Sequence, residues 1–188
     1  MISAICVNTA LSSIHKNVIS EHGISVAIDS SFYNATGVLD RQSIANLAVD
    51  EYYNSLGLAN TPASIDNLVV IKRGKDKYSL TLIELKKVKK LSTLNYDNIV
   101  CKYKTTIDDF MSVRFNAEFN NPQHKITDFN LWLVCNRFNY MGNAISDADY
   151  ERRIKSTIVE KLLLTKPFKF KGRIAAITPM LYDHADIV

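Results

Sequence analysis

The sequence predicts an α/β domain with a mixed β-sheet and flanking helices, on three observations. Two β-rich runs, IDNLVVIK and YSLTLIELK, stand on either side of the polar RGKDK and read as an antiparallel hairpin. The segment NYDNIVCKYKTTIDDFMSVRF repeats Ile99, Tyr103, Ile107, Phe110 and Met111 near helical spacing, which marks a core-facing helix. The run Leu131 to Cys135 is continuously apolar, as expected of a strand covered on both faces.

The remaining elements follow in chain order. The N-terminal 35 residues suggest a helix around Leu11 to Ile19 and a strand around Ile24 to Ile28. DRQSIANLAVDEYYNSLG reads as the first clear helix, with Asp40 able to cap its start and Gly57 able to end it. After the hairpin and the core-facing helix comes the polar NNPQHK loop, then the strand DFNLWLVCNRF and a turn at MGN. SDADYERRIKSTIVEKLLL predicts a capped helix, and KFKGRIAAITPML a closing strand ahead of a short acidic tail. No repeat, linker or shift in composition divides the chain, so residues 1–188 read as one domain with its core at about 40–179.

At 188 residues, 47% apolar and 22% charged, the chain can bury a core without help from metals or disulfides. Its three cysteines, Cys6, Cys101 and Cys135, lie far apart with no CxxC spacing, which supports neither a disulfide framework nor a zinc site and fits a cytoplasmic protein. The opening residues lack the basic start and long apolar run of a signal peptide, and no segment has the ~18 apolar residues of a membrane span. The four histidines are scattered outside any ligand spacing, and no Gly-rich phosphate loop, GxSxG elbow or nucleophilic cysteine context occurs. The aromatic stretches SSFYN and RFNYM read as core and loop anchors.

The net charge of +4 is modest, but eight of the 23 basic residues fall between Lys72 and Lys90. Such a run is either a solvated strand edge or a surface for phosphates.

The strongest chemical signal is where the hairpin's second strand ends. Alternation puts Leu80, Leu82, Glu84 and Lys86 on one face, so two charges continue an apolar row. With Gly74, Lys75 and Asp76 as a three-residue loop, Asp66 lies directly across from Glu84; a two-residue turn would instead flip Asp66 to the other face. Opposed carboxylates about 4.5–5.5 Å apart at Cβ repel unless a cation lies between them. Mg²⁺ suits two hard oxygen ligands plus phosphate oxygens, and Lys86 would project beside it to orient or polarise a water. The competing reading is a plain Asp66 to Lys86 salt bridge at a sheet end. In the preceding segment, Ile44, Leu47, Ala48 and Glu51 follow the spacing of a buried helical face, which makes Glu51 either a third acid, for a second metal or for orienting Lys86, or a helix-end residue reaching water.

Asp66, then 17 intervening residues, then Glu84-Leu85-Lys86 on the second strand of a hairpin, with Glu51 in a preceding helix, resembles the PD-(D/E)xK nuclease superfamily. The later helix, strand, helix and strand also look like its common core. The resemblance implies a restriction-endonuclease-like fold in which an antiparallel catalytic hairpin belongs to a central mixed sheet. It further implies that Asp66, Glu84 and the Leu85 carbonyl hold Mg²⁺, that Lys86 activates water, and that Glu51 is the helix acid. The motif's Pro is absent before Asp66, where Ser64 and Ile65 stand. A lone domain of this size is most like a type II restriction endonuclease, a homodimer that cuts double-stranded DNA, with Lys87, Lys89 and Lys90 near backbone phosphates. The alternatives are a structure-specific, repair, phage or toxin nuclease of the same fold, and a non-catalytic nucleic-acid-binding domain.

Overall fold

A computed structural model of the chain describes residues 1–87, 93–136, 146 and 158–188. Two short helices, α1 (Ile2–Val7) and α2 (Thr9–Ser13), open it, and the Asn8 side chain caps α2 by accepting from the backbone N–H groups of Ala10 and Leu11. The helix expected around Leu11 to Ile19 is thus shorter and earlier. Strand β1 (Ile19–Glu21) turns back into β2 (Ile24–Ile28), the latter where the sequence predicts it. The two-residue turn His22-Gly23 has positive φ at both positions, the backbone a tight hairpin requires.

The predicted helix from Asp40 to Gly57 is corrected. Ile44–Ala48 forms strand β3, and only Val49–Ser55 is helical, as α3. All five residues of β3 are buried, and a short apolar run satisfies helical spacing as readily as it satisfies a two-sided strand. Buried Asn46 settles the choice. In the strand its amide donates to the Lys16 and Val18 carbonyls while its oxygen accepts from Asn67. Asp40 makes a turn instead of a helix cap, its carboxylate accepting from Gln42 N–H.

Strands β4 (Asn67–Gly74) and β5 (Lys77–Lys86) form the predicted hairpin. Its loop is only Lys75-Asp76, but Arg73 is an extra residue between the pairs Lys72 with Tyr78 and Gly74 with Lys77. This bulge restores the register that a three-residue loop gives, so Leu68 faces Leu82 and Asn67 faces Ile83. Next come α4 (Tyr96–Thr105), a π-helical continuation over Thr106–Arg114 and α5 (Asn116–Phe119). The predicted core stripe Ile99, Tyr103, Ile107, Phe110 and Met111 is buried throughout.

Strand β6 (Lys125–Cys135) begins three residues before the predicted strand's first residue, Asp128. The MGN turn, RFNYM and most of the following predicted helix lie outside the described residues; its end is helical as α6 (Ile158–Leu163). The predicted closing strand divides into β7 (Phe168–Phe170), β8 (Arg173–Ala175) and β9 (Ile177–Leu181), because Lys171-Gly172 makes a second positive-φ turn. The C-terminal β10 (Asp186–Ile187) pairs in parallel with β2, so the tail is structured and buries Ile187.

The domain is therefore α/β around a mixed five-stranded sheet in the order β3-β4-β5-β6-β9. The first three strands are antiparallel neighbours, and β5, β6 and β9 run parallel. One face, carrying Leu68, Val70, Leu80 and Leu82, packs on the helices. The other, carrying Val69, Ile71, Ile83 and Leu85, is covered by the small sheet β1-β2-β10 through Ile19, Ile24, Val26 and Ile187, so the described α-helices flank one side of the sheet. No helix among the described residues is long and apolar enough to cross a membrane.

Candidate functional site

The register carries one residue past β4 to bring Asp66 beside the end of β5. Its Oδ2 accepts the Leu85 N–H at 2.6 Å, while its own carbonyl receives the Val49 N–H that starts α3. Asp66, just before β4, thus joins three elements, its carboxylate reaching β5 and its carbonyl reaching the helix that follows β3.

Glu84 is wholly buried. Its Oε1 receives the ammonium of Lys86 and that of Lys102, each at 2.6 Å, while its Oε2 has no hydrogen-bond partner among the described residues. Burial, together with the charge of Asp66, raises the Glu84 carboxyl to about 7, against the opposing pull of the two lysines. Burial would lower the Lys86 ammonium, but Glu84, Asp66 and Glu21 together raise it, so Lys86 remains a cation and hydrogen-bond donor at neutral pH. The Tyr103 hydroxyl donates to the Trp132 carbonyl at 2.6 Å beneath the site, tying α4 to β6. Cys135 pairs with Lys86 across β5 and β6, and burial pushes its thiol up to about 12, too high for a nucleophile.

The structure brings Asp66, Glu84 and Lys86 to one sheet end, where Leu85 meets Asp66 through its N–H. Glu51 does not join them. With Ile44–Ala48 a strand, no helical stripe runs through Glu51, which is half exposed and holds Lys16 at 2.7 Å. The acid of that turn next to Asp66 is Asp50, whose carboxyl is raised by burial and by Asp66. Glu21, at the end of β1, also reaches Asp66, and burial with that neighbouring charge raises its carboxyl. Lys87 is exposed and passes the β1-β2 turn, its Nζ 3.5 Å from where a Cβ on Gly23 would stand. Lys89 and Lys90 lie outside the described residues.

Three members of the cluster escape sequence reasoning. Lys102 carries a usable signal, since it lies between Ile99, Tyr103 and Thr106 on the buried stripe of α4, a cation where apolar residues belong. Asp50 becomes legible only with the correct start of α3, which sets it three residues before buried Tyr53. Glu21 gives no signal, because a three-residue strand has no period to read.

The donor set fits a hard divalent cation: two carboxylates, one of them with an orphaned buried oxygen, next to the Leu85 peptide. Among the described residues no group of three or more His, Cys, Asp or Glu side chains is arranged to hold a metal, so the fit is to an ion that keeps most of its waters. No known family model matches the chain, and no curated protein or solved structure matches it either.

Proposed function

We propose that the protein is a Mg²⁺-dependent phosphodiester hydrolase with a restriction-endonuclease-like core, acting as a site-specific endonuclease on double-stranded DNA. The observation that carries this reading is the convergence of Asp66, Leu85 and Glu84 at one sheet end, with Lys86 on the Glu84 carboxylate. The strand order supports it as well, since an antiparallel hairpin leads into a parallel strand through a core-facing helix.

Asp66, Glu84 and the Leu85 carbonyl would hold Mg²⁺, which when bound supplies charge neutralisation at the phosphate and a more acidic water. Lys86 stays protonated, so it donates: it orients the attacking water and offsets charge that develops on the phosphoryl oxygens. The β5-β6 sheet fixes its backbone, and the Glu84 pair limits the rotamers it samples. Exposed Lys87, with Lys89 and Lys90 next in sequence, would lie against backbone phosphates and position the duplex. A second copy of the chain would supply the site for the other strand.

Purified protein incubated with a long phage DNA in Mg²⁺, in Ca²⁺ and in EDTA, with products resolved on a gel, tests the reading. Discrete fragments with Mg²⁺ alone are the expected result. Intact DNA in every lane overturns it and favours a structure-specific nuclease of the same fold or a non-catalytic nucleic-acid binder.

A further inference from the structure

Two ammonium groups share Glu84 Oε1, but they are not equivalent. Lys86 lies on the same strand, is about a quarter exposed and, among the described residues, reaches only the Glu84 carboxylate within 4 Å. Lys102 comes from α4, is 14% exposed, and spans both carboxylates, with its Nζ 2.6 Å from Glu84 Oε1 and 3.6 Å from Asp66 Oδ1. That bridging position is the one a divalent ion shared by Asp66 and Glu84 requires. A buried carboxylate pair needs a cation between its members to offset repulsion and lost hydration, and Lys102 is a cation that the chain itself provides.

The backbone that carries Lys102 is pinned. Its carbonyl accepts the Thr106 hydroxyl at 3.0 Å, and that hydroxyl oxygen accepts the Ile65 N–H at 3.3 Å, so α4 is tied to the residue before Asp66. Sliding the helix to withdraw the ammonium would break the Ile65 to Thr106 hydrogen bond. The four-carbon stem of the side chain can withdraw it without that loss, and a lysine stem has the rotamers to do so.

We propose that Lys102 is the resident counter-ion of the site, competing with the divalent metal for Glu84 and Asp66 and so setting how tightly the metal binds. The inference rests on the metal-dependent reading of the same carboxylates. Metal and ammonium exclude each other, so the apo domain keeps its buried acids satisfied at the cost of affinity for the metal. Entry of the metal releases a positive charge beside the place where a phosphate would lie. Lys102 is thus a positioning residue whose removal strengthens metal binding, the reverse of what loss of a merely structural residue does.

The test is Mn²⁺ binding, read by the electron paramagnetic resonance of the free ion, in wild type, Lys102→Met and Lys102→Gln. Glutamine keeps a donor for Glu84 Oε1 without the charge, which guards against a methionine variant that does not fold. Both variants are expected to bind Mn²⁺ at least about tenfold more tightly than wild type, about 1.4 kcal/mol, and to gain more thermal stability from it. Equal or weaker binding by the variants, with wild type binding, overturns the competition and leaves the nuclease reading standing. Absence of Mn²⁺ binding in all three proteins overturns both. In wild type alone, the ¹⁵Nζ resonance of Lys102 is expected to move on Mg²⁺ addition, and an unmoved resonance with Mg²⁺ bound also overturns the inference.

Discussion

The two ends of the β4-β5 hairpin carry the same kinds of side chain and do different things with them. At the tip, Lys72, Arg73, Lys75, Asp76 and Lys77 are all exposed around a two-residue turn. At the other end, Asp66 and Glu84 are buried, and Lys86 and Lys102 converge on a single carboxylate oxygen. Lys77 and Lys86 bound β5, so a strand rise of ~3.4 Å per residue separates them by roughly 30 Å. The basic residues from Lys72 to Lys87 therefore form two groups at opposite ends of the hairpin. What marks the site is charge removed from water with partners in reach, since a solvated charge is worth little by itself.

The sharpest way to break this contrast is to truncate both ends. Glu84→Ala and Lys86→Ala are each expected to lower the cleavage rate by at least about a hundred- to thousandfold, the scale of losing one group that stabilises transition-state charge. Lys75→Ala and Lys77→Ala are expected to stay within about twofold of wild type. Single-turnover cleavage rates decide, with circular dichroism to show that each variant is folded. A tip variant as damaging as Glu84→Ala would mean that the wrong end has been assigned the chemistry.

A finer contrast lies in adjacent acids of one helical turn. Asp50 is partly buried beside Asp66, whereas Glu51 reaches outward to Lys16. Asp50→Asn is expected to reduce cleavage about tenfold, because a charge next to the carboxylate proposed to hold the metal is lost, while Glu51→Gln changes it by less than about twofold. The reversed order would return Glu51 to the role the sequence suggests.

That pair also shows which parts of the molecule are legible from sequence. The hairpin register was readable because a period of two fixes faces over ten residues, and the bulge at Arg73 compensates for the shorter loop, so Asp66 stays on the Glu84 side. The segment before it is ambiguous in sequence because IANLA satisfies two periods at once, and the choice between them rests on Asn46 meeting carbonyls that are distant in sequence. Lys102 could have been found by asking why a lysine shares a stripe with Ile99 and Tyr103. Glu21 could not, since its approach to Asp66 depends on how the β1-β2 hairpin packs on the central sheet, a long-range outcome that no local pattern encodes.

His15 isolates the effect of burial without convergence. Both of its ring nitrogens are buried without a well-formed hydrogen bond among the described residues, and burial, with Arg41 adding its charge, outweighs the Ile44 backbone and lowers the imidazole to about 4. The unfolded chain takes up this proton near the ordinary histidine value of about 6.5, before the folded chain does. As pH falls from about 6.5 to about 4 the unfolded state therefore binds more protons and the contribution of His15 to stability is progressively lost. Glu84, Glu21 and Asp50 have raised values and act with the opposite sign in part of this window, and His124, itself lowered, acts with the same sign, so the quantity to measure is a difference between proteins. His15→Phe is expected to lose less melting temperature than wild type between pH 6.5 and pH 4 and to leave the cleavage rate at neutral pH unchanged. Parallel melting curves across that range would mean that His15 ionises alike in both states. Burial with a single charged neighbour would then not be enough to shift a group, and the convergence of several charges around Glu84 would be the feature that does.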